Sequence, residues 1–120
     1  MAALKGADIL AINDRQQESV VIPEWNDAEV FIRTMGAVER AKYEAKLMSL
    51  KDAGLDERMW TIKLTLVVLC ACDESGNRLF TDDQFEAVAD KSADAIDRLF
   101  DVINRLNLVT QDQVEAEQGN

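Results

Sequence analysis

The chain has 120 residues, 48% of them hydrophobic, which is enough for one domain with a modest core. Thirteen Lys and Arg stand against 23 Asp and Glu, and the resulting net charge of −10 repels phosphate backbones and anionic lipid surfaces. No histidine is present and the basic residues are scattered, so the commonest metal ligand and general base is missing and no basic patch offers a nucleic-acid site.

The opening MAALKGADIL lacks the basic segment and continuous apolar stretch of a secretory signal, and no lipidation motif is present, so the expected location is the cytoplasm. Leu4, Ile9, Leu10 and Ile12 among small and charged residues predict a short helix over Ala2 to Ile12, ended by Asn13 and Asp14. Two strands follow, Ser19 to Ile22 and Ala28 to Arg33, joined by Pro23-Glu-Trp-Asn-Asp27 with its turn residues. Val20 and Ile22 share one face, as do Val30 and Ile32. A lone hairpin is marginal in water, so that face must rest on helices.

Thr34 is placed to cap a helix from about Ala37 to Lys51. This helix carries two apolar stripes, Val38, Ala41, Ala45 and Met48 on one side and Tyr43, Leu47 and Leu50 on the other. A helix at the edge of a small domain needs only one buried stripe. Either the hairpin and the central helix cover both, or part of a stripe is a docking surface for another protein's helix or an extended apolar segment. Tyr43, Leu47 and Leu50 are the candidate partner-binding residues on this helix. Trp25 in the hairpin turn is a further candidate anchor, although a turn Trp more often folds back over a small core.

Gly54 suits a left-handed helix end with Leu55 reaching back to Leu50, and Asp56 suits the cap of the next helix. That helix, residues 57–72, holds the longest apolar run, MWTIKLTLVVLCAC from Met59 to Cys72. Met59, Ile62, Leu66, Leu69 and Cys70 recur at helical spacing, and from Leu66 the run is apolar all round, which requires neighbours on several sides. It falls far short of the roughly 20 apolar residues of a membrane span, so it is a core helix. Cys70 and Cys72 cannot pair with each other on it, and without a nearby cation they are expected to pack as inert thiols.

After Cys72, a turn from Asp73 leads to Leu79 and Phe80, expected back on the core, and Thr81-Asp-Asp-Gln84 has the form of a capping box. A short helix with Phe85, Val88 and Ala89 follows. Ser92 then caps the last helix, Ala93 to about Leu106, whose stripe is Ile96, Leu99, Phe100, Ile103 and Leu106. Asn107 suits a left-handed end. Residues 110–120 are polar and expected to be a mobile tail, and residues 1–109 one compact domain. The expected fold is α+β, mainly α: a small N-terminal β-hairpin packed on about four to five helices around the central apolar helix.

Chemical motifs are weak. Asp73-x-Ser75-x-Asn77 resembles the start of a calcium loop, but Arg78 stands where the sixth-place Gly belongs and Gln84 where the final Glu belongs, so a structural turn is the better reading. Asp82, Asp83 and Glu86 are the acids a helix's first turn favours. No catalytic residue, metal site or cofactor is expected, and the chain reads as a non-enzymatic protein.

The succession ADILAIND, VVIPEWNDAEVFIR, MGAVERAKYEAKL and CDESGNRLFTDDQFEAVADKSADAIDRLFDVINRLN resembles the tail assembly chaperones of long-tailed bacteriophages and prophages. The family usually has Thr or Ser before the glycine that opens the second helix, where this chain has Met35, with Thr34 available to take over the cap. The resemblance implies a non-catalytic protein that binds the long, apolar, helical tape measure protein before tail tube subunits polymerise around it, and that is absent from the finished virion. It also implies, for many relatives, a frameshifted longer form whose extra domain recruits the tail tube protein. Association with further copies of the chain is left open, and neither nucleic acid nor membrane is an expected partner. Two other classes remain in view: a morphogenesis component retained in the virion, and an acidic decoy, for which the acids ought to form a regular row.

Overall fold

The computed structural model describes residues 3–107. Along the chain run α1 (Gly6–Ala11), β1 (Gln17–Ile22), β2 (Ala28–Arg33), α2 (Ala37–Ser49), α3 (Leu55–Cys70), β3 (Ala71–Cys72), α4 (Phe85–Ala89) and α5 (Ala93–Asn107). The architecture is the expected mainly helical α+β arrangement, with a small antiparallel sheet packed against helices. The tail expected over residues 110–120 lies outside the described residues.

β1 and β2 pair antiparallel with Val20 opposite Val30 and Ile22 opposite Ala28. Strict alternation follows: Ile22, Val30 and Ile32 are buried, while Val21 on the other face is exposed. Pro23–Trp25 form a single 3-10 turn, after which Asn26 (φ 58°) and Asp27 (φ 60°) both take left-handed backbone, tolerated by their short polar side chains.

The sheet has a third strand that the hydrophobic pattern does not predict. The apolar run suggests helix to Cys72, yet α3 ends at Cys70, and Ala71 turns extended (φ −72°, ψ 127°). Ala71 then pairs with Ile32 and Cys72 with Phe31, giving the order β1-β2-β3. The free edge of β2 explains the switch, because a third strand turns a marginal hairpin into a stable sheet. Everything from Leu66 to Cys72 is buried, as an apolar surface on all sides demands.

α3 starts earlier than expected. Gly54 is not a left-handed helix end but the extended N-cap of α3 (φ −65°, ψ 163°), and Leu55 is exposed instead of reaching back to Leu50. The first turns of α3 also face differently: Thr61 is buried, whereas Met59 is exposed. Half-buried Thr65 on the same face satisfies its hydroxyl within the helix, its Oγ1 donating to Thr61 O at 2.7 Å.

α5 packs on α3 and on both strands of the hairpin. Ile96, Leu99 and Ile103 are buried, with Phe100 and Leu106 packed at the margin, matching the predicted stripe. At about 1.5–3 kcal/mol for each large side chain removed from water, these positions and the α3 run dominate the stability. Ser92 Oγ accepts the Ala95 N–H at 3.4 Å, so α5 has its predicted cap. Asn107 remains helical, and its side chain is used for contacts with neighbouring elements. Leu79 is exposed rather than on the core, whereas Phe80 packs against it. α1 carries no buried residue and leaves Leu4, Ile9, Leu10 and Ile12 exposed. No helix among the described residues is long and apolar enough to cross a membrane.

Candidate functional site

α2 is where the sequence poses its sharpest question, and only one of its stripes is covered. Tyr43 and Leu50 are buried and Leu47 packs at the core margin where α2 meets α3. The opposite stripe is open: Val38 is 71% exposed and Met48 78%, with Ala41 and Ala45 exposed between them. The positions recur at three- and four-residue spacing, so they line up along one face of the helix.

Ala45 belongs to that stripe and also to a groove of about 680 Å³. Val68 and Leu69 of α3 and Phe85 of α4 supply its apolar walls, with Thr65 beside them. Lys42, Lys46 and Ser49 on α2 and Asp82 before α4 form the polar rim. A single 3-10 turn at Asp82–Gln84 leads into α4, which packs against α3 beside the groove. Gln84 Oε1 accepts the Thr81 N–H at 2.9 Å, half of the predicted capping box, while the Thr81 hydroxyl bonds the Asp83 carboxylate. Trp60, 46% exposed, stacks obliquely on Phe85 with ring centroids 6.1 Å apart. An exposed Trp thus stands against the apolar wall of the groove, and Ala45 joins that groove to the open stripe of α2.

The rim is ordered by charge. Asp82 accepts from Arg78 at 2.8 Å and from Lys42 at 3.0 Å, and these bonds hold its carboxyl below the usual aspartate range. Lys46 Nζ sits 5.9 Å from the Phe85 centroid, a cation–π arrangement. Nothing in the groove resembles a reactive centre. The two thiols lie elsewhere, buried, and desolvation pushes Cys70 up to about 12 and raises Cys72 as well. The Asp73 turn closes on itself, with Asn77 N–H bonded to Asp73 Oδ1 at 2.9 Å and Gly76 at φ +88°. No acid, Cys or His cluster able to hold a metal occurs among the described residues.

The four residues singled out in the sequence are therefore placed inward. Tyr43, Leu47 and Leu50 fix α2 to the body, and Trp25 packs half-buried against the core from the hairpin turn. Of the two stripes of α2, the open one is that which carries Val38 and Met48. Phe85 and Trp60 come to the same surface from distant parts of the chain, which helical periodicity alone does not reveal.

A family model described as phage tail assembly chaperone matches residues 9–118. The chain belongs to this family. Tail assembly chaperones are not enzymes. Among solved structures, the chaperone is similar to one described as the structure of bacteriophage HK97 tail assembly chaperone, with a TM-score of 0.65 and 19% identity over 83% of this chain and 95% of that one. At that identity the likeness is one of fold. No curated protein matches the chain.

Proposed function

We propose that this chaperone holds an apolar helical segment of the tape measure protein during tail morphogenesis, on the surface formed by the outer stripe of α2 and the groove beside it. The observation that carries this reading is the open stripe, because Val38 and Met48 are far more exposed than a helix of a small acidic domain needs. A helix laid along Ala41, Ala45 and Met48 enters the groove at Ala45, where it meets Phe85 with Trp60 packed on it, in the helix-in-groove mode of recognition. Tyr43, Leu47 and Leu50 support that surface from beneath. The net charge of −10 keeps many copies bound along one long client from coalescing.

On this reading the chaperone works in the cytoplasm of the bacterial host and leaves before the virion is complete. A longer, frameshifted product recruits tail tube subunits, and copies of the chain associate along the client. The test is co-expression with the tape measure protein and affinity capture. Met48→Asp and Ala45→Asp, which place a charge on the outer stripe of a folded protein, are expected to lose capture. Unchanged capture by both variants removes this surface from consideration.

A further inference from the structure

We propose that the groove selects an amphipathic helix whose apolar stripe is bordered by carboxylates about one turn apart, with Lys42 and Lys46 as their partners; this rests on the reading of the groove as the client site.

The charge balance of the groove runs against that of the whole chain. Overall, 23 acids outnumber 13 bases, yet the groove lining sets Lys42 and Lys46 against a single carboxylate, Asp82. Asp82 is already bonded to Lys42 and to Arg78. Among the described residues no carboxylate lies within ion-pair distance of Lys46 Nζ, which leans over Phe85 instead. An incoming carboxylate therefore meets an unmatched ammonium at the edge of an apolar wall, and the docked helix itself shields the pair from solvent, which strengthens the attraction.

Spacing adds a second constraint. Lys42 and Lys46 are four residues apart on α2, so their stems rise from the same face about 5–6 Å from each other. Two carboxylates three or four residues apart on an apposed helix match that interval. A segment bordered by Lys or Arg meets like charge at the same place, so the rim rejects as well as attracts.

The test uses two synthetic helical peptides with the same apolar stripe, one bordered by Glu at four-residue spacing and the other by Lys, titrated into the full chain carrying Trp25→Phe so that Trp60 reports. The Glu-bordered peptide is expected to bind about tenfold tighter, with the advantage shrinking as salt rises. Lys46→Gln is expected to reduce the preference and Lys42→Glu with Lys46→Glu to reverse it, in chains whose circular dichroism is unchanged. Equal, saturable binding of both peptides overturns the charge preference while leaving the apolar surface in place. No response of Trp60 to either peptide, from a chain that still captures the tape measure protein, overturns both the preference and the assignment of the groove.

Discussion

Asn107 Oδ1 accepts the backbone N–H of Met35 at 2.8 Å, joining the last residue of α5 to the entry of α2. The same amide group donates to Ile103 O at 3.1 Å. Thr34 is not the cap, since its hydroxyl accepts the Gln16 N–H at 3.1 Å, and Glu39 Oε1 accepts the Gly36 N–H at 2.8 Å. Asn107→Ala is expected to lower stability by about 1–3 kcal/mol, because it leaves a part-buried amide without its acceptor. Urea unfolding of the variant against the parent checks the loss.

The two stripes of α2 are expected to separate cleanly in stability. Tyr43→Ala costs about 3–5 kcal/mol and Leu50→Ala about 2–5 kcal/mol, as buried large-to-small changes do. Met48→Ala, on the open side, stays within about 0.5 kcal/mol of the parent. Thermal unfolding distinguishes the classes, and a loss at Met48 as large as that at Leu50 contradicts the placement of α2.

Acid weakens the link between α2 and the segment before α4. The Asp82 carboxyl titrates lower in the folded chain than in the unfolded one, through its bonds to Arg78 and then to Lys42. Its stabilisation is therefore fully present above the ordinary aspartate value of about 3.9 and is lost as pH falls through the lowered folded value. Both partners are partly exposed, so the effect is small and screened by salt. Asp82→Asn is expected to flatten the acid limb of the stability curve slightly, measured by urea midpoints across the acid range.

Alkali acts through Cys70. Burial pushes this thiol up to about 12, so the unfolded chain releases the proton first, and stability falls as pH rises from the ordinary thiol value of about 8.5 towards the folded one. Cys70→Ala is expected to lessen that decline, although the lost sulfur leaves a small cavity at every pH. At neutral pH, labelling of Cys70 by a thiol reagent is expected to proceed no faster than the chain opens, as stopped labelling in rising urea will show.

The parts of the fold that repeat a simple period are legible in the sequence. The α5 stripe shows at helical spacing, the hairpin faces alternate, and the all-round apolar character from Leu66 announces burial on several sides. What escapes is set by tertiary partners. Ala71 and Cys72 leave the helix because β2 offers a free edge, Gly54 is recruited as a cap rather than a left-handed end, and Met59 yields its buried place to Thr61. The candidate surface was half legible for the same reason. Two stripes on α2 are written in the spacing, but which one faces out depends on how α2 meets α3, and Phe85 and Trp60 join only through the fold.

Site-specific photocrosslinking to the tape measure protein tests the central claim most directly. A benzophenone side chain is placed in turn at Ala45, at Met48 and, as the contrasting position, at the exposed Asp101 of α5. Adducts with the tape measure protein are predicted from positions 45 and 48 and not from 101. Adducts from 101 with none from 45 or 48 contradict the assignment of the client to the outer face of α2.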